Sequence, residues 1–296
     1  MLIVDGRVAR ILTQVVDYVR FYAVVICAVA WATNEQDKRL VCWRAALMPA
    51  AIVASHTTME AVYGHILGPN TLGEAKRKQI QRDVRNAALV GSLALLTLQM
   101  SCAVGFLTYM GAFTPTFVHD KSNLLDWMRA LSTAYGEFWI LSLVKDVVIM
   151  HFAHHWMHNK NYKYLHRIHL LHHGHTTNLN NINASLIDPV DMFIENTIGP
   201  FLVVTFKFLL GYPPTISLIS FLYNLWAEGS NHSLNPYTSS YCFPPVDFLM
   251  KGNLSHNMHH ALPNGHFHAH PWHHLWEGYH KDLEAYNRVM KTKVEF

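Results

Sequence analysis

Apolar stretches of the chain recur with lengths near the roughly 20 residues that an α-helix needs to cross the hydrocarbon of a bilayer. The clearest runs from Ala87 to Phe113 without one charged residue and predicts a transmembrane helix. Residues 131–150 predict a return span, with Glu137, Lys145 and Asp146 as polar exceptions. From Phe193 to Trp226 the chain is apolar again, but Gly211-Tyr-Pro-Pro214 divides it. Paired prolines cannot continue one helix, so two short halves should enter and leave on the same side. Residues 15–33 and 41–55 are apolar around Asp17, Arg20 and Arg44; a helical hairpin, tilted spans and interfacial helices all fit them. The expectation is an all-α, integral membrane helical bundle of about four spans. Residues 1–70 contribute N-terminal apolar helices without assignment, and residues 71–296 form the main membrane domain.

Composition agrees. Of 296 residues, 51% are hydrophobic and 15% charged, against about a quarter charged in ordinary soluble domains. The net charge of +3 is small and forms no extended basic patch, so no nucleic acid is expected as a partner. The basic residues Lys76, Arg77, Lys78, Arg82 and Arg85 precede the first clear span and should face the cytoplasm or its equivalent. Cys27, Cys42, Cys102 and Cys242 include no C-x-x-C pair, which argues against a zinc knuckle or a disulfide framework. Asp5, Arg7, Arg10, Asp17 and Arg20 break the apolar core that a signal peptide would need. The sequons at Asn183, Asn231 and Asn253 read as chance on a cytoplasmic face.

Histidine changes the picture most. Nineteen of the 22 histidines lie between His151 and His280. They cluster as His151, His154, His155 and His158, then His166, His169, His172 and His173, then His256, His259 and His260. Helical positions three and four apart share a face, so each cluster should gather imidazoles at one place. Neutral imidazole is the commonest side-chain ligand of transition metals, and three clusters exceed the needs of one tetrahedral ion. More than one metal is expected. One span out, one back and a hairpin place every cluster, and His232, on the basic face as a His-rich helical cap.

As motifs, the clusters are His154-His-Trp-Met-His158, His169-Leu-Leu-His172-His173 and His256-Asn-Met-His259-His260. In this order around apolar spans they resemble the histidine boxes of the fatty acid hydroxylase and sterol desaturase family, integral-membrane di-iron oxygenases. Tyr162-Lys-Tyr-Leu-His166, Ala184 to Asp191, Asn231-His232-Ser233 and Asn264-Gly265 with Leu275-Trp276 continue the likeness. It covers residues 146–280 well and the basic stretch loosely.

The resemblance implies two iron ions, with zinc an alternative occupant, held by His154, His158, His169, His172, His173, His232, His256, His259 and His260. It also implies O2-dependent hydroxylation or desaturation of a lipid, a sterol or a fatty acyl or alkyl chain, with electrons from a cytochrome b-type donor. The family setting is the endoplasmic reticulum, with the mitochondrial inner membrane as alternative and the boxes on the cytoplasmic or matrix face. Asp188 stands where the family usually has a histidine and is a further candidate ligand. His155 stands for the usual arginine, and Leu170 for a frequent second histidine. His155, His166, Asp191 and Glu195 are candidates for supporting the ligands, since a metal-bound imidazole usually donates its other N–H to a carboxylate or carbonyl. His56, His65 and His119 lie far from the boxes and read as ordinary. The alternative class is a non-catalytic subunit of a larger membrane complex that keeps this fold.

Overall fold

The computed structural model describes residues 6–33, 38–66, 87–114, 123–173 and 187–233, with short pieces at 238–239, 241–243, 246, 256 and 259–260. The basic stretch from Lys76 to Arg85, His119, His175, residues 176–186 and the chain beyond His260 lie outside the described residues. The described chain is mostly helical. In order it forms α1 (Gly6–Thr33), α2 (Lys38–Ile66), α3 (Ala87–Tyr109), β1 (Phe113–Thr114) and α4 (Leu124–Val144). Next come a π-helical segment (Lys145–His154), α5 (His155–His158), α6 (Lys163–His172) and α7 (Pro189–Asn196). The order closes with α8 (Ile198–Leu209), β2 (Ile216–Ser217) and α9 (Leu218–Asn231).

Two helical runs are long and apolar enough to cross a membrane, Arg39–Met59 in α2 and Pro189–Leu209 in α7 and α8; Leu93–Tyr109 in α3 is a shorter apolar helix. Their outer faces carry large exposed apolar residues, among them Trp43, Leu98, Phe106, Phe201 and Phe208. A water-facing surface rarely tolerates so many. The return span predicted over 131–150 does not pass the same test: α4 carries Asp126, Arg129 and Glu137 and gives way to the π segment at Lys145. The break at Gly211-Tyr-Pro-Pro214 falls between α8 and α9. Gly211 takes φ +77° there, a conformation that glycine adopts without strain. Beyond it β2 pairs in parallel with β1 over two residues, which ties the end of α3 to the start of α9.

Helix α9 is the axis of the fold and is buried nearly all round, from Leu218 to Asn231. Trp226 is fully enclosed, with Phe21 of α1 at 5.1 Å and His56 of α2 at 4.4 Å between ring centroids. Tyr223 meets Phe21 at 4.6 Å and Tyr135 of α4 at 5.1 Å. Aromatic pairs at such separations add to the burial of their area. On the far side α2 lies close to α3: a Cβ added at Gly105 would stand 3.1 Å from the Ala46 Cβ. Small residues at a crossing let two helix backbones approach.

Four polar exceptions of the apolar runs, Asp17, Arg20, Glu137 and Lys145, find partners. Asp17, fully buried, accepts from Arg20 Nη1 at 2.8 Å and from the Ser239 backbone at 2.9 Å. Arg20 also donates to the Ser55 carbonyl and lies over the Trp226 ring at 5.1 Å. Glu137 pairs with Lys207 and accepts from Ser217 N and Ser220 Oγ, while Lys145 pairs with Glu228 and Asn196. Each joins helices that are distant in sequence, because a buried charge is tolerated only when paired and hydrogen-bonded.

Candidate metal centre

The first histidine box begins in the π segment. In an unbroken α-helix, His151 and His155 would accompany His154 and His158 on one face. Instead His151 and His155 are exposed, His154 is 1% exposed and His158 is half-buried. The inward pair lies four residues apart across the join of the π segment and α5. Helix α6 brings in His169, His172 and His173 at its C-terminal end, all buried. His232 caps the C-terminus of α9, and His256, His259 and His260 complete the set from the last described pieces.

These nine side chains form two groups. In the first, ligand nitrogens of His154, His158, His169, His173 and His259 all lie within 4.8 Å of one another; in the second, those of His172, His232, His256 and His260 do. The first group converges through Nε2. His158 Nε2 is 3.0 Å from His154, 3.1 Å from His169 and 3.2 Å from His259, and His259 Nε2 is 3.0 Å from His154 and 3.1 Å from His173. In the second, His256 Nε2 is 2.8 Å from His232 Nε2 and 3.1 Å from His260 Nε2. The groups abut: the His173 and His260 rings stack with centroids 4.4 Å apart.

Hydrogen bonding between imidazoles cannot satisfy the first group. His154, His158 and His259 place three Nε2 atoms in a triangle with sides of 3.0, 3.0 and 3.2 Å. Each nitrogen presents either a proton or a lone pair, so at least two of the three are alike and oppose each other. A cation among lone pairs removes the conflict. A cation about 2.1 Å from each nitrogen separates adjacent ligands by about 3.0 Å at right angles and about 3.4 Å at tetrahedral angles. The observed 3.0–3.2 Å spacings fit the right-angled arrangement.

The protonation states suit ligation. Burial, followed by the crowding of neighbouring imidazoles, holds His154, His173, His256 and His260 well below the usual histidine range. The same causes, burial first, lower His158 to about 2. Burial lowers His169 and His232 as well, against the opposing pull of nearby glutamates. Neutral imidazole is the form that binds metal.

Outer ring nitrogens fix the tautomers of His169 and His232. His169 Nδ1 donates to Asp191 Oδ2 at 2.9 Å, which leaves the Nε2 lone pair for the centre. His232 Nδ1 donates to the Glu228 carbonyl at 2.7 Å, and His166 Nδ1 to the Met157 carbonyl at 3.0 Å. Glu195 Oε1 stands 3.7 Å from His154 Nδ1 and 3.8 Å from His169 Nδ1. His169, Asp191 and Glu195 thus make a third cluster with metal-ligand spacing. It shares His169 with the first group through the opposite ring nitrogen, and we assign it to orienting that ring.

Of the residues singled out from sequence, the nine box histidines therefore come together. Asp191 touches a ligand, and His166 holds a backbone carbonyl beside the first box. Asp188 belongs to neither group. Its side chain accepts from Val190 N at 2.8 Å and caps α7, with Pro189 in the first turn. His155 is exposed and belongs to neither group.

Sequence reasoning missed His56. It is 5% exposed and lines a cavity of about 110 Å³ together with His172, His232, Glu195 and Glu228. The available signal was an ionisable residue inside the apolar run of α2, which is a functional candidate by default. Comparisons of the chain with family models, with curated proteins and with solved structures give no match.

Proposed function

We propose that this chain is a membrane-embedded oxygenase that uses two iron ions, one in each histidine group, to hydroxylate or desaturate a lipid. The observation that carries the reading is the gathering of nine histidines, eight of them buried, from four separate stretches, into two adjoining groups beside a cavity between apolar helices. The five nitrogens of the first group exceed the four that a tetrahedral zinc site takes, which favours iron. When bound, the metal pair supplies what no side chain can, an O2-derived oxidant strong enough to break an aliphatic C–H bond. In the hydroxylation, the C–H bond, O2, two electrons and two protons become C–OH and water; desaturation consumes the same reductant and releases two waters. A cytochrome b-type donor is the proposed source of the electrons.

The protein's own residues hold the imidazoles neutral, orient His169 through Asp191 and His232 through the Glu228 carbonyl, and wall the groups from bulk water. The proposed setting is a bundle of about four spans with the histidines in a cap on the cytoplasmic or matrix side. The motif likeness to fatty acid hydroxylases and sterol desaturases supports this reading, and either a sterol or an acyl or alkyl chain fits it. The test is metal analysis and turnover of the purified full chain in lipid. The proposal predicts about two irons per chain and an O2-dependent hydroxylated or unsaturated product. An empty or zinc-only centre without turnover contradicts it and supports a structural subunit of a membrane complex.

A further inference from the structure

A second cavity adjoins the one that His172 and His232 line. Between α2 and α3 lies an open apolar groove of about 1100 Å³, walled by Trp43, Ala46, Ala50, Leu98 and Gly105. It shares Val53, Thr57 and Leu93 with the smaller cavity that contains His172 and His232. The two cavities therefore lie side by side with these three residues between them, and the walls of the groove suit a long apolar chain.

At the inner end the lining changes from apolar to polar. His56 is 95% buried, packs tilted against Trp226, and its Nε2 has no hydrogen-bond partner among the described residues. Leaving such a nitrogen unpaired in the interior is costly, so its surroundings point to a polar occupant. Gly229 makes room for the ring: a Cβ there would meet His56 Cδ2 at 2.7 Å and Nε2 at 2.9 Å. The site is therefore shaped around one imidazole edge beside two candidate metal ligands.

We propose that His56 is a positioning residue. Its Nε2 hydrogen-bonds a neutral hydroxyl on an apolar chain that enters through the α2–α3 groove, passes Val53, Thr57 and Leu93, and stops beside His172 and His232. A hydroxyl is the fitting group because it accepts or donates according to the tautomer of His56. The inference rests on the oxygenase reading only for what happens to the chain after it is bound.

The test uses the metal-loaded full chain in phosphatidylcholine vesicles. Two photoreactive probes are compared, a long-chain primary alcohol and the alkane of the same length. The alcohol is expected to label residues lining the groove, and H56F to lower its labelling about tenfold, to the level of the alkane, consistent with one lost buried hydrogen bond. H56Q, which keeps a hydrogen-bonding group, is expected to retain most labelling, and G229A, which displaces the ring, to behave like H56F. V53W closes the passage and removes labelling by both probes. Equal labelling by alcohol and alkane in the unmodified protein overturns the proposal, as does unchanged alcohol labelling in both H56F and G229A. Labelling attributable to water-filled space alone would show no His56 dependence and counts against it. Metal content is measured on every sample. A His56-dependent preference in a chain without iron would sink the oxygenase reading and leave this inference standing.

Discussion

The two histidine groups adjoin but are built differently. Apart from the half-buried His158, the five-histidine group is enclosed: its Nε2 atoms crowd to 3.0–3.2 Å, and Asp191 braces His169 from behind. The four-histidine group faces the cavity, which His172 and His232 line directly. Closed metal sites hold structure, whereas catalytic sites keep a position open. Under the proposed oxygenase reading, the enclosed group would serve retention and tuning, and the cavity-facing group contact with substrate.

The largest effect should follow loss of a shared nitrogen. His259 Nε2 touches both His154 and His173, so H259A is expected to lose metal from the enclosed group and abolish turnover. H232A should lose one ion of the pair and keep the other. Spectroscopy of the metal that remains in each variant checks this, and loss of the same site in both would erase the distinction. D191N should weaken metal affinity of the enclosed group by about 10–100-fold, the usual cost of removing a carboxylate behind a ligand histidine. Competition with a chelator measures it.

Acid should act on both groups. The folded protein holds His154, His173, His256 and His260 neutral, whereas the same side chains in the unfolded chain take up protons near their ordinary value of 6.5. Stability and metal retention are therefore full above that value and fall as the pH drops below it. Thermal unfolding and metal release between pH 8 and pH 5, roughly the range over which ordinary imidazole titrates, should show the decline. The smallest effect belongs to D188A. It removes the cap of α7 and should cost about 1 kcal/mol of stability while metal content stays unchanged.

Helical spacing made the membership of the centre legible, but not its division. Pairs four apart stay together: His154 with His158 and His169 with His173 in one group, His256 with His260 in the other. The neighbours His172 and His259 join the opposite group from His173 and His260. Consecutive helical residues point about 100° apart, so one box feeds two sites. A linear motif gives no warning of this until the helices are placed. The π segment was equally silent, since its i→i+5 bonding alters which of the four histidines at 151, 154, 155 and 158 turn inward. Asp188 looked like a ligand because it precedes Pro189, yet the same position is a favoured helix cap, and the cap is what the structure contains. His56 was passed over because its neighbours in space, Gly229 and His232, lie more than 170 residues away in the chain.

Mössbauer spectroscopy of the iron-loaded protein tests the central claim most directly. Two signals of equal area are expected, one from a site with five imidazoles and one from a site with four, and H232A should remove only the second. A single signal, or a protein that holds no iron while all nine histidines remain, would contradict the account.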